Sequence, residues 1–239
     1  MADCTVAVLG GGVGGVVAAR ELRRRLPRSA TIVVVDRQAR HVFQPSLLWL
    51  MAGQRRPEQF TRPLSRLNRK GIEFVQGEVT AIDPARKALR VAGREIVADY
   101  LVISPGAEYA PHAVPGLAEA GHNLYTVEGA SRIRDSRAAL REGRLVILVA
   151  RTPFKCPAAP YEAAMLLEHD LRRRGVRGRV SVDLYTPEPG PMPVTGKAVS
   201  VQVQTMLEER GVSYHPQHAV AGVDPAGKVI RFQNGATAE

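Results

Sequence analysis

The chain opens with two short, unbroken apolar runs separated by a segment whose apolar residues recur at helical spacing. Thr5 to Leu9 reads as a buried strand, Val13 to Leu26 as a helix and Thr31 to Val35 as a second strand. Strands that are apolar throughout, rather than at alternate positions, belong to parallel sheets covered on both faces. This βαβ unit therefore predicts a parallel, doubly wound sheet. Arg37 to Gly53 carries His41, Phe43, Gln44, Pro45 and Trp49 and reads as a loop and short helix facing a ligand. Thr61 to Lys70 is expected to be helical. Short strands are expected at Ile72 to Gln76, Glu78 to Asp83, Ala88 to Val91, Glu95 to Ala98 and Tyr100 to Ile103. Asp83-Pro84 and Val91-Ala92-Gly93-Arg94 supply turns between them.

Ser104-Pro105-Gly106 and the Pro- and Gly-containing stretch Pro111 to Gly116 interrupt the pattern and mark a domain crossing. A second βαβ unit follows. Its strands are expected at Leu145 to Val149 and Val180 to Tyr185, its helices at Pro160 to Arg174 and Ala198 to Gly211. Short strands around Pro225-Ala226-Gly227 close the chain, from Val220 to Phe232. The expected class is α/β, with two Rossmann-like doubly wound domains of the dinucleotide-binding type, 1–108 and 109–239.

Composition narrows the function. The 239 residues are 45% apolar and suffice for one large or two small domains. The net charge of +10 concentrates in Arg23-Arg24-Arg25 and Arg172-Arg173-Arg174, each late in a predicted helix, where the helix dipole favours cations. A solvated face is the simpler reading, an anionic membrane or acidic redox partner the functional alternative. With 5% aromatic residues and no recognised motif, nucleic acid is not an expected partner. Two cysteines do not make a disulfide framework. With no leader before the first strand the expected location is cytoplasmic. No run reaches the length needed to cross a bilayer, so any membrane contact is expected to be peripheral. His41, His112, His122, His169, His215 and His218 show no metal-ligand spacing, and no metal site is expected.

Between the first strand and helix stands Gly10-Gly11-Gly12-Val13-Gly14-Gly15, in which Gly10, Gly12 and Gly15 fall in the order G-x-G-x-x-G. Asp36 ends the second strand roughly twenty residues on, as the dinucleotide fingerprint requires. Gly10 permits the tight turn, Gly12 lets backbone N–H groups approach a pyrophosphate, and Gly15 lets helix and strand pack closely. Asp36 would accept hydrogen bonds from ribose hydroxyls. Whether the dinucleotide is FAD or NAD the fingerprint alone leaves open.

Taken with Glu78-Val79 and the strand ending Asp99 to Gly106, this arrangement resembles the two-dinucleotide flavoprotein superfamily. The resemblance implies that Gly10, Gly12, Gly14, Gly15, Asp36, Val79, Ser104 and Gly106 lie along FAD. Read without it, Ser104-Pro105-Gly106 is a turn.

The strand predicted at Leu145 to Val149 runs into Ala150-Arg151-Thr152-Pro153-Phe154-Lys155-Cys156-Pro157, where an NADH-using relative would have a second Gly-rich turn. Pro153 and Pro157 lack N–H donors and no glycine admits a phosphate, so NADH is not expected here. Helix N-termini and adjacent cations stabilise a thiolate, which makes Cys156, beside Lys155 and ahead of the helix, a candidate nucleophile. A small buried hydrophobe in a Pro-rich turn is the alternative. Cys4 is read as structural, and Glu162 as a carboxylate favouring the helix dipole, with proton handling as the alternative.

Lys155 to Glu168 closely resembles the sulfide:quinone oxidoreductase and flavocytochrome c sulfide dehydrogenase group, as do Val42 to Gly53, Gly71 to Asp83 and Thr186 to Pro193. The resemblance implies FAD as cofactor, sulfide as donor, quinone as acceptor, and Cys156 as the sulfur carrier. A flavin subunit of flavocytochrome c type and a non-catalytic FAD-binding fragment are the alternatives. Such proteins carry a further redox cysteine downstream and a longer chain that contacts membrane and quinone. No cysteine follows Cys156. The chain is therefore expected to be a C-terminally truncated form, its first domain incomplete.

Overall fold

The computed structural model describes residues 4–239. It divides into two compact units, Met1–Phe43 with Pro57–Tyr109, and Gln44–Arg56 with Ala110–Glu239.

In the first unit, β1 (Thr5–Leu9) leads through a turn into α1 (Val13–Arg25) and back to β2 (Thr31–Asp36). β3 (Arg40–Val42) precedes α2 (Ser46–Met51), which belongs to the second unit. The first unit resumes with α3 (Pro57–Phe60) and β4 (Thr61–Pro63), the latter antiparallel to β3. β5 (Glu73–Gln76), β6 (Val79–Asp83), β7 (Ala88–Val91), β8 (Arg94–Val97) and β9 (Tyr100–Ile103) complete it. The parallel sheet has the order β5-β2-β1-β9, with Val8 opposite both Val34 and Val102. That is the 3-2-1-4 order of a doubly wound nucleotide-binding sheet.

Side-chain alternation explains why β1 and β2 are apolar throughout. Val6, Val8, Ile32 and Val34 point to one face and pack with Ala19 of α1, Leu64, Leu67 and Ile72. Ala7, Val33 and Val35 point to the other and pack with Val75, Leu89, Val91 and Ala98. The second face is covered by the antiparallel meander β6-β7-β8.

The second unit repeats the plan. After α4 (Leu117–Ala120) and α5 (Val127–Ala139), β10 (Gly143–Leu148) leads to α6 (Ala159–Arg173) and parallel β11 (Val180–Tyr185). α7 (Lys197–Glu208) returns to β12 (Ser213–His215), giving the parallel order β10-β11-β12. Ile147, Val182 and Leu184 pack with Tyr161, Ala164 and Leu171 of α6 and Leu207 of α7. Tyr185, on the opposite face, packs with Phe232 and Ala238 of the meander β13 (Val220–Asp224), β14 (Val229–Phe232) and β15 (Thr237–Ala238).

One local expectation changes. The segment expected as one helix from Thr61 is β4 followed by a 3-10 helix, Leu64–Lys70. Leu64 and Leu67 are its buried residues. A 3-10 helix aligns positions three apart on one side, so this spacing suits it. Gly71, at φ +72, takes the left-handed conformation that ends the turn. Helix α5 and strand β12 were not anticipated. Thr126 caps α5, its hydroxyl accepting from the Gly129 N–H at 3.0 Å.

Candidate functional site

The turn from β1 to α1 is built from backbone. Gly10 has φ +108, and a Cβ there would run into the Ser104 carbonyl group. A Cβ at Gly15 would overlap the Gly10 carbonyl oxygen and approach the Ser104 hydroxyl to 2.9 Å. These two glycines let β1, α1 and the end of β9 converge. Gly12 differs from both. It is the exposed residue at the N-cap of α1, in extended conformation, with nothing within 4 Å of an added Cβ. Gly12 has no side chain to cap the helix, so the first N–H groups of α1 lack that partner. Such a helix start is a ready acceptor of phosphate. Gly14 lies in the first turn of α1, exposed, with Ser104 Cβ at 3.7 Å from an added Cβ.

Asp36 closes this turn from β2. Its Oδ2 accepts from the Gly11 N–H at 2.5 Å and its Oδ1 from the Gln38 N–H at 2.7 Å. A carboxylate has about four lone-pair positions, so two remain for another donor. The Gly11 carbonyl meets His41 Nδ1 at 3.0 Å. At the end of β9, the Ser104 hydroxyl donates to the Leu9 carbonyl at 2.9 Å, stitching the two strand ends together.

A cleft of about 380 Å³ opens beside this turn. Of the sequence-predicted residues, Gly10, Asp36, Val79 and Gly106 line it; Gly12, Gly14, Gly15 and Ser104 are outside its lining. Ile82 and Ile103 give it apolar walls. Arg37 and Glu108 also border it and pair with each other at 3.0 Å, an exposed contact that sequence reasoning did not single out. The cleft lies at the carboxyl ends of β1 and β2, where open α/β sheets bind ligands.

The second unit carries a different turn after β10. Cys156 is exposed and is a free thiol. Its backbone is left-handed, at φ +53, unusual for a residue with a side chain. Its carbonyl accepts from the Ala159 N–H at 3.0 Å, leading the chain into α6. Pro160 occupies the helix start, where its missing N–H is harmless, and Glu162 is the acid of the first turn. The preceding Thr152–Pro153 peptide is cis, and Arg151 donates to the Ala113 carbonyl at 3.1 Å. No glycine occurs between the end of β10 and the start of α6.

Between α6 and the turn after β11 is a buried hydroxyl and carboxylate cluster that the sequence did not reveal. Tyr161, 1% exposed, donates to Glu188 Oε2 at 2.8 Å. The Tyr214 ring is 6.2 Å away, centre to centre. Burial pushes the Tyr214 phenol up to about 12. Burial, then the bond to Glu188, raises Tyr161 further above the ordinary phenol range.

Among the described residues, no group of three His, Cys, Asp or Glu side chains is placed to hold a metal ion. Among the described residues, no helix is long and apolar enough to cross a membrane.

Residues 4–148 match the family model described as pyridine nucleotide-disulphide oxidoreductase. The chain belongs to that family. Residues 131–239 match a second model, the central part of the flavoprotein chain of flavocytochrome c sulfide dehydrogenase. The chain is 30% identical over 240 residues to a sulfide-quinone reductase from Aquifex aeolicus, a match covering 98% of this chain and 55% of the relative. It is 30% identical over 240 residues to a mitochondrial sulfide:quinone oxidoreductase from Dictyostelium discoideum, covering 95% and 52%. The crystal structure of the Aquifex aeolicus sulfide:quinone oxidoreductase superposes with a TM-score of 0.88 at 29% identity, covering 99% of this chain and 56% of that one. The chain thus spans about half the length of the relatives it matches.

Proposed function

We propose that this chain holds FAD in its first unit and carries sulfur on Cys156 in its second, as part of an oxidoreductase that oxidises sulfide and delivers the electrons to quinone. The observation that carries the reading is the contrast between the turns: the first presents glycines and an open helix start, the second presents a left-handed, exposed thiol and no glycine. In this reading 1–108 is the FAD-binding domain and 109–239 a second Rossmann-like domain that no longer binds NADH.

The residues of the first turn suit an adenine dinucleotide. Gly12 leaves open space where a side chain would block a pyrophosphate, and Gly14 lies beside it in the same helix start. Gly10 and Gly15 allow the close approach, and Ser104 and Gly106 end the adjoining strand. Asp36 keeps two acceptor positions for ribose hydroxyls, and Val79 offers an apolar contact to the adenine. FAD supplies a two-electron acceptor.

Cys156 supplies the sulfur chemistry. Its Sγ and the sulfur of hydrosulfide would join as a persulfide, a two-electron oxidation that releases one proton and whose electrons bound FAD would accept. The exposure of the thiol admits so small a donor. Glu162, the acid in the first turn of α6, would take up the released proton.

A second reading has support of its own in the match of 131–239 to the flavocytochrome c model. There the electrons would pass to a cytochrome rather than a quinone. Supplying the FAD-loaded protein with sulfide and either a short-chain quinone or a c-type cytochrome separates the two. Preferential reduction of quinone is expected. Replacing Cys156 by Ala is expected to abolish sulfide-dependent reduction; undiminished reduction sinks the proposed role of Cys156.

A further inference from the structure

Glu188 is a carboxylate buried to 8% exposure that has no part in the proposed reaction. It stands in the turn after β11, and its surroundings hold it tightly. Tyr161 donates to its Oε2 at 2.8 Å, and the Thr186 hydroxyl approaches the same oxygen at 3.5 Å. Its backbone N–H donates to Thr186 Oγ1 at 3.2 Å, and its carbonyl accepts from the Gln217 N–H at 3.0 Å. The direction of the central bond is fixed. Burial and the Glu188 carboxylate both raise Tyr161, so its hydroxyl stays protonated and always donates.

Tyr161 lies in the first turn of α6, five residues after Cys156. The intervening chain is short and constrained: Pro157 and Pro160 fix two φ angles, and the Cys156 carbonyl accepts from the Ala159 N–H at 3.0 Å. A side chain in the left-handed region costs about 1–2 kcal/mol and persists only where its surroundings over-determine it. Tyr161 is the large anchor nearest in sequence, fully buried and packed with Ala164, Leu171 and Leu184.

We propose that the Tyr161–Glu188 hydrogen bond is a latch that fixes the first turn of α6 on the turn after β11 and thereby holds Cys156 in its left-handed, outward position. Tyr161 and Glu188 are positioning residues for the thiol. The inference rests on Cys156 being the sulfur-bearing group, and deepens that reading by naming what aims it.

Alkylation of the full chain by iodoacetamide tests the latch, with the rate at Cys156 followed by peptide mass spectrometry and Cys4 as internal reference. Tyr161→Phe and Glu188→Ala are expected to slow Cys156 about fivefold, the factor equivalent to one net hydrogen bond. Glu188→Gln keeps an acceptor oxygen and is expected to retain the parent rate. Val212→Ala loosens the same core without touching the latch and should also retain it. Parent rates in both Tyr161→Phe and Glu188→Ala overturn the latch, as does an equal loss in Val212→Ala at matched melting temperature. Separately, exposing the parent chain to polysulfide tests the sulfur reading: a Cys156 that takes up no sulfur, yet slows in Tyr161→Phe, sinks that reading and leaves the latch standing.

Discussion

The two units share a plan, a parallel sheet with helices on one face and an antiparallel meander on the other, and differ most where the first strand of each turns into its helix. After β1 the turn works by having no side chains: Gly10 and Gly15 touch backbone and Gly12 faces open space. After β10 the turn works by having one, and Cys156 accepts a strained backbone to present it. In the proposed reading the same scaffold serves two chemistries, depending on whether the turn offers N–H groups or a nucleophile. Removing a side chain from the second turn should relax it, whereas adding one to the first should damage it.

The largest effect is expected at Gly15. Gly15→Ala places a Cβ into the Gly10 carbonyl, backbone that cannot swing aside. Overpacking of this kind costs about 3 kcal/mol, a fall of roughly 10–20 °C in the melting temperature of a unit of about 100 residues. Thermal unfolding followed by circular dichroism checks it. Unchanged melting would show that the first turn does not depend on bare backbone.

Asp36→Ala comes next. It strips the Gly11 and Gln38 N–H groups of their acceptor and removes the proposed ribose contact. A loss of about 1–2 kcal/mol is expected, with FAD binding weakened in a fluorescence titration. Asp36→Asn, which keeps one acceptor oxygen, should fall between.

Cys156→Gly should have the opposite sign. It relieves about 1–2 kcal/mol of left-handed strain and loses about 0.4–1 kcal/mol through the freer unfolded chain. A net gain of about 0.5 kcal/mol is expected in denaturant unfolding, together with complete loss of sulfur uptake. A destabilised Cys156→Gly would break the comparison.

A last effect is confined to alkali. Burial raises Tyr161, Tyr185 and Tyr214 above the ordinary phenol value of 10.0. A raised folded-state value means the fold binds the phenol proton more tightly. The corresponding stability is complete below pH 10.0 and is lost as the pH climbs through the folded values, about 12 for Tyr214. Phenolate absorbance should therefore show three late tyrosines, all in the second unit, and that unit should loosen first. Early titration of all six tyrosines would contradict the buried cluster.

What was legible in the sequence is what local geometry dictates. Gly10 and Gly15 can be read because close backbone approach leaves no other residue, Gly12 because it leaves the helix start open, and β1 and β2 because burial on both faces writes an unbroken apolar run. Cys156 was legible from its setting, but its left-handed backbone was not, since nothing in Lys-Cys-Pro encodes φ. The Tyr161–Glu188 bond joins residues 27 apart with no shared motif, so only the fold reveals it. Helix α5 escaped because Gly129 and Ala130 are its buried residues, leaving no apolar stripe to read. The excursion through α2 escaped as well. Its buried run Ser46, Leu47, Leu48, Leu50 and Met51 is too short to show a helical period, and nothing in it announces packing against α5.

The division of labour between the two turns is tested most directly by reconstituting the parent chain and Cys156→Ala with FAD, adding sulfide without oxygen, and following the visible absorbance of the flavin. Both proteins should hold FAD to the same extent, with sulfide bleaching the parent and leaving Cys156→Ala coloured. Equal bleaching of the two, or loss of FAD on changing Cys156 alone, would contradict it.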